Sequence, residues 1–181
     1  MGKIEVEFIP WPKISRPKNN LITITEKMDG TNACIVIQDG EIKAVQSRNR
    51  FIQPGNDNAG FAHYVETNKE ILLGLGDGYH FGEWVGPGIQ KNPHKLTEKT
   101  FFIFNTFRPE ETLPEGIKAV KVLYEGPYSD LEINKAYTEL KIRAEQEEYI
   151  PEGIIVYFHM TKSRIKYTYN NQDGKWTNDG I

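Results

Sequence analysis

The chain has little that could bind it covalently or seat it in a membrane. With one cysteine, Cys34, it can form no intrachain disulfide. The expectation is a small apolar strand residue in a protein of the reducing cytoplasm. No stretch approaches the roughly 18 apolar residues of a membrane span, so no membrane partner is expected. Met1–Glu7 already carries Lys3, Glu5 and Glu7 and lacks the apolar run of a secretory signal. The histidines are few. His63, His80, His94 and His159 show no His-Glu-x-x-His or other ligand spacing, which argues against a metal hydrolase and leaves each as a surface or packing residue. Positive charge is also short, since the formal net charge is −3. Proteins that coat nucleic acid nonspecifically usually carry a basic excess. Any nucleic-acid contact must therefore be concentrated in one groove. Repeats, linkers and low-complexity segments are missing as well.

What remains is a chain of 181 residues, 38% hydrophobic and 12% aromatic, which suits one globular domain with a substantial core. Phe8–Ile14 is punctuated by proline and is expected to pack as an irregular lead-in. Alternation predicts strands over Leu21–Thr25, Ala33–Ile37 and Ile42–Gln46, the last two joined by a hairpin at Gln38-Asp39-Gly40-Glu41. Phe61, Tyr64, Val65, Ile71 and Leu72 recur at helical spacing and predict a helix near 59–73. Gly74, Gly76 and Gly78 follow a helix instead of a strand, so they are expected to be a plain turn and not a dinucleotide loop. Tyr79–Val85 and Thr100–Phe107 are predicted strands. Ser129-Asp130-Leu131-Glu132 is a capping box opening a helix to about Glu148, with Leu131, Ala136, Tyr137, Leu140 and Ala144 on its apolar face. Ile154–Phe158 and Arg164–Tyr169 close the domain as strands, before a polar tail from Asn170. This order implies an α+β fold with antiparallel sheets flanked by helices.

The chemistry centres on Glu26-Lys27-Met28-Asp29-Gly30-Thr31-Asn32, expected as the loop between two strands. Gly30 permits a tight turn beside a ligand. A lysine amine attacks phosphorus only when uncharged, so burial or nearby cations must favour its neutral form. Lys-x-Asp-Gly alone also fits an ordinary surface turn. Other segments add weight. Arg48 can fork onto phosphate oxygens. Glu83, in Phe81-Gly-Glu-Trp-Val-Gly-Pro-Gly-Ile-Gln90, can accept bonds from ribose hydroxyls. Phe102 and Phe104 share one face of a strand, where at least one packs in the core and one could stack on a purine. Glu152 opens an apolar strand and suits a hydrated Mg²⁺. Arg164 and Lys166 put two cations on one strand face, where they could hold an α-phosphate.

Taken together and in this order, these motifs resemble the covalent nucleotidyltransferases, the polynucleotide ligases and RNA capping enzymes, and most closely the ATP-dependent RNA ligase 2 family. Lys27-Met-Asp-Gly-Thr-Asn32 resembles the nucleophile motif, Ser47-Arg48 the arginine motif that follows, and Phe101–Phe104 the aromatic strand. Glu152-Gly153 resembles the metal-side motif and Arg164-Ile-Lys166 the closing basic motif. The most specific match is the Gly-Glu-x-x-Gly-Pro-Gly-Ile-Gln core within Phe81–Asn92. The similarity spans about Leu21–Thr168.

The resemblance implies an adenylation domain with an ATP-grasp-like nucleotidyltransferase fold over 1–181. Many RNA ligases add a C-terminal nucleic-acid-binding domain; because this chain ends soon after Lys166, it is expected to be the adenylating core alone, acting as a minimal ligase, with a partner, or as a truncated form. The resemblance also implies that Lys27 becomes lysyl-AMP at the expense of ATP, with Mg²⁺ or Mn²⁺. AMP then passes to a 5′-phosphate, and a 3′-hydroxyl displaces it to seal the strand. The implied partners are RNA (or DNA) ends and a protein or domain that supplies grip. The implied setting is cytoplasmic, phage-like RNA repair. Lys27, Lys166 and Arg164 would be catalytic. Glu26, Asp29, Asn32, Arg48, Glu83 and Phe104 would bind nucleotide, and Glu152 metal. Phe104 is preferred to Phe102 because the stacking ring ends the strand motif.

Three positions depart from the family pattern. Asp29 replaces a histidine of the founding member, Tyr157 stands where a lysine is usual, and the closing pair is either Arg164 with Lys166 or Lys166 with Thr168. Two other functions fit less well. A GTP-using capping-type guanylyltransferase is disfavoured by the Gly-Pro-Gly-Ile-Gln segment. A non-catalytic nucleotide- or RNA-binding module would not need Lys27, Glu83, Glu152 and Lys166 together.

Overall fold

The computed structural model describes residues 8–14 and 20–169; the stretch Met1–Glu7 and the polar tail from Asn170 lie outside them. Among the described residues, ten strands form two sheets. β1 (Leu21–Lys27), β8 (Val122–Pro127), β9 (Gly153–Phe158) and β10 (Ser163–Thr168) make a four-stranded sheet in the order β10-β9-β1-β8. β2 (Thr31–Gln38), β3 (Glu41–Ser47), β4 (Phe51–Ile52), β5 (Gly78–Val85), β6 (Thr100–Ile103) and β7 (Ile117–Ala119) make a six-stranded sheet in the order β4-β3-β2-β5-β6-β7. Pairing is antiparallel except between β6 and β7. The helices are α1 (Phe61–Thr67), α2 (Lys69–Leu72) and α3 (Asp130–Gln146). This is the α+β, antiparallel-sheet architecture that the sequence implies. No helix among the described residues is long and apolar enough to cross a membrane.

Each sheet buries one face against its own helices. Ile22 and Ile24 of β1 and Ile154 and Val156 of β9 pack on Ile133, Ala136 and Leu140 of α3. Ile35, Trp84, Phe101 and Ile103 of the larger sheet pack on Phe61, Val65 and Leu72. A third cluster of Met28, Val85 and Val120, with Leu96 and Phe102, fills the junction. Because side chains alternate along a strand, the other faces of both sheets remain to line a cleft between them.

Several local expectations hold. Asp39 and Gly40 turn the β2–β3 hairpin with φ of 55° and 69°, and Gly76 makes a plain turn at φ 78°. Ser129 caps α3 by accepting a hydrogen bond from the Glu132 N–H at 3.3 Å. Cys34 is buried in β2, and burial pushes its thiol up to about 11.

Other local expectations are corrected. The helix near 59–73 is two short helices broken at Asn68. Leu131 faces solvent at 74% exposure, and Ile133 takes its place on the buried face of α3. The aromatic strand ends at Ile103, not Phe107, and Phe104 keeps only one ladder bond, from its N–H to the Phe81 carbonyl at 2.9 Å. Phe8–Ile14 does not pack; Phe8 and Trp11 stand at 85% and 88% exposure.

Candidate active site

The nucleophile candidate ends a strand instead of sitting in a loop. Glu26 and Lys27 are the last residues of β1, Met28–Gly30 crosses between the sheets, and Thr31 and Asn32 open β2. Backbone geometry on both sides of Lys27 requires glycine. A Cβ at Gly30 would collide with the Trp84 carbonyl of β5, so this glycine serves close strand approach and not a turn. Gly153 pairs with Lys27 across β1–β9 at φ +150°, and a Cβ there would strike the Tyr167 carbonyl.

The cleft has a volume of about 1030 Å³, ample for a nucleotide, and Lys27, Asp29, Asn32, Arg48, Glu83, Phe104, Glu152, Arg164 and Lys166 all contribute to its wall. The four-stranded sheet supplies Lys27, the neighbouring Glu152, and Arg164 and Lys166 of β10. The six-stranded sheet supplies Asn32 and Glu83, with Arg48 and Phe104 just beyond its strand ends. Asp29 lies in the crossing segment. Thr168 shares the β10 face but does not reach the cleft wall, so geometry favours Arg164 with Lys166 as the basic pair. Of the two phenylalanines, Phe102 packs in the junction cluster while Phe104 is 39% exposed at the cleft. Tyr157, standing where a lysine is usual, carries the Arg164 guanidinium 4.8 Å from its ring centroid.

The polar groups form connected chains. The Lys27 ammonium pairs with Glu152 Oε1. Arg48 Nε donates to Asn32 Oδ1 at 3.1 Å, and Asn32 Nδ2 donates to Glu83 Oε2 at 2.9 Å. Burial pushes the Glu83 carboxyl up to about 7; the Glu152 charge adds to this, while Lys27, Asn32 and the Gly30 N–H pull it back.

Glu152 Oε2 is buried without a hydrogen-bond partner. An orphaned carboxylate oxygen beside a phosphate-sized space fits a hard divalent cation. Among the described residues no cluster of three or more His, Cys, Asp or Glu could hold a metal ion.

Glu26 stands apart from the other residues singled out. Its position borders the cleft, but its carboxylate lies on the opposite face of β1 and is 4% exposed. There it accepts from Arg143 Nη2 at 3.0 Å and Tyr149 OH at 2.9 Å, and it pairs with His94 Nε2 at 3.2 Å. A nucleotide-binding side chain at Glu26 is not what this geometry provides. His94 is correspondingly more than a surface or packing histidine. Sequence reasoning also passed over Tyr79, Phe81 and Gln90, which line the cleft. Alternation back from Glu83 would have found the first two. Nothing in the sequence signals Arg143 or Tyr149, which lie 117 and 123 residues from Glu26.

The RNA ligase family model matches residues 20–168. No curated protein sequence matches the chain. Among solved structures, an RNA ligase of Naegleria gruberi, a mutant with ATP and Mn, is similar with a TM-score of 0.62 at 20% identity, over 84% of this chain and 50% of that one. A form with AMP and Mn gives 0.61 at 20% identity over 84% and 50%. The same ligase with PPi gives 0.60 at 22% identity over 88% and 52%. The chain thus spans about half the length of these structures and shares their fold.

Proposed function

The chain belongs to the RNA ligase family, and from that premise we propose that it is the adenylating unit of an ATP-dependent RNA ligase with Lys27 as nucleophile. The observation that carries this reading is the position of Lys27. Its amine stands on the wall of a nucleotide-sized cleft, with Glu152 at its side and Arg164, Lys166 and Arg48 around the same space.

Lys27 Nζ, uncharged and released from Glu152, attacks the α-phosphorus of ATP. The N–P bond forms as the bond to the bridging oxygen breaks and pyrophosphate departs. Arg164 and Lys166 hold the α-phosphate and stabilise the charge that builds on it. Glu83 accepts from the ribose hydroxyls, fixed by Asn32, and Phe104 stacks on the adenine. A divalent cation held by Glu152 would neutralise phosphate charge. AMP then passes from Lys27 to the 5′-phosphate of an RNA strand, and a 3′-hydroxyl displaces it to seal the strand.

The test is incubation with Mg²⁺ or Mn²⁺ and ATP labelled at the α-phosphate, followed by denaturation. Label should remain on the wild-type chain and be absent from Lys27→Ala. Label that persists on the mutant would identify another nucleophile. Addition of 5′-phosphorylated RNA, and separately DNA, to labelled enzyme should move the AMP to the preferred strand.

A further inference from the structure

Glu26 and Lys27 are neighbours on one strand and therefore face opposite ways. Lys27 faces the cleft. Glu26 faces a closed pocket of polar side chains that the adenylation chemistry does not use. Its carboxylate is 4% exposed, and such a charge is stable only if fully partnered. Its partners come from both halves of the molecule. Arg143 lies on α3 and Tyr149 just beyond it, and both belong to the layer backing the four-stranded sheet. His94 lies in the segment that leaves β5 of the six-stranded sheet. Its ring packs on Tyr149 with centroids 4.4 Å apart.

The segment carrying His94 also carries a residue into the cleft. Ile89 anchors it in the six-stranded core at 4% exposure, and Gln90 then turns into the cleft at φ 46°. Asn92 closes the next turn, accepting from Leu96 N–H at 3.1 Å and donating to Leu96 O at 3.0 Å. His94 sits inside that turn. One carboxylate thus fixes the backbone next to the nucleophile, the helix behind it and the loop that brings Gln90 to the nucleotide space.

We propose that Glu26 is a positioning residue for lysine adenylation: its carboxylate, gripped by His94, Arg143 and Tyr149, locks the end of β1 and the Gln90 loop in register so that Lys27 meets the α-phosphate in line, and it contacts no nucleotide. This rests on Lys27 being the nucleophile. Misplacing a reacting atom by about 1 Å can cost on the order of 10²-fold in rate. The predicted defect is therefore in the maximal rate and not in ATP affinity.

The test measures the rate of lysyl-AMP formation against ATP concentration for wild type, Glu26→Gln, His94→Gln and the double variant. Glu26→Gln keeps the shape but leaves a single acceptor oxygen, which cannot serve Tyr149 and His94 on one side and Arg143 on the other at once. Each single variant should lose about tenfold or more in maximal rate while the half-saturating ATP concentration moves less than about threefold. The double variant should be no slower than the slower single one, because the two residues act through one contact. Arg143→Lys keeps the charge but not the guanidinium fork and should show the same split.

A raised half-saturating concentration at unchanged maximal rate would make Glu26 a nucleotide ligand and overturn the inference, as would multiplicative losses in the double variant. Thermal melts accompany each rate. If Glu26→Gln does not fold, His94→Gln, whose side chain is 21% exposed, carries the test. No label on the wild-type chain would sink the adenylation reading and this inference with it. Labelled wild type with unaltered variants would sink the inference alone.

Discussion

Two carboxylates buried to nearly the same degree, Glu26 at 4% and Glu83 at 9% exposure, titrate in opposite directions. Burial raises both. At Glu26, hydrogen bonds from His94 and Tyr149 and the charges of His94 and Arg143 outweigh it, and the carboxyl is held below its ordinary value. At Glu83 the donors are neutral amides, Lys27 is shared with Glu152, and Glu152 is itself negative, so the carboxyl rises to about 7. Burial sets the stakes and the donor set decides the sign. The Glu26 pocket is a completed structure. The Glu83 side of the cleft has acceptor capacity to spare, as does the orphaned oxygen of Glu152, and a nucleotide with its cation is what that capacity fits.

The contrast can be broken most severely at Lys27. Lys27→Ala should show no AMP adduct by intact mass while its melting temperature stays near that of wild type, because it removes only a part-exposed ion pair. Glu26→Ala comes next. It removes the shared acceptor of Arg143, His94 and Tyr149, leaving Arg143 only its longer contact to Glu147, and should cost about 3 kcal/mol of stability in urea unfolding.

Glu83→Gln should act on stability with the opposite sign. It removes a charge that folding disfavours and should stabilise the protein by about 2 kcal/mol at pH 8, while weakening nucleotide binding. The pH dependence separates the two carboxylates. Glu83 has a raised folded value, so ionising it costs stability as pH rises from 4.5 through about 7. Glu26 has a lowered folded value, so its contribution is complete above its ordinary 4.5 and is lost as pH falls through the folded one. Unfolding free energies across pH should lose the first slope in Glu83→Gln and the acid slope in Glu26→Gln. The smallest effect is expected at the cleft mouth, where Phe104→Leu should weaken ATP binding by about 1 kcal/mol, read by calorimetry.

Much of the cleft was legible because its residues obey short-range rules. Alternation put Arg164 and Lys166 on one strand face, short ordered motifs marked Lys27 and Glu83, the Asp39-Gly40 pair announced its turn, and Ser129 with Glu132 announced a helix start. The elements that escaped have weak local signals. β4 and β7 are only two and three residues long. β8 is a largely exposed edge strand with a glycine and a terminal proline. The helical periodicity across 59–73 hides the break at Asn68, where the backbone leaves helical geometry. On α3, helical spacing puts Leu131 on the expected apolar face, but packing against β1 and β9 buries Ile133 and leaves Leu131 in solvent. The pocket around Glu26 escaped for a different reason: a side chain's partners across 68 to 123 residues of chain are decided by topology, which no local pattern encodes.

The opposed orientation of residues 26 and 27 makes the chain intolerant of miscounting. Adding or deleting one residue between Leu21 and Lys27 would drive the ammonium into the pocket of Arg143 and His94 and swing an anion toward the incoming triphosphate. Both sides would fail at once, by like-charge repulsion. The same edit at the Asp39-Gly40 hairpin, where the backbone is exposed, would only lengthen a loop. Insertion scanning of these two segments would show how strictly a catalytic strand is counted where an ordinary turn is not.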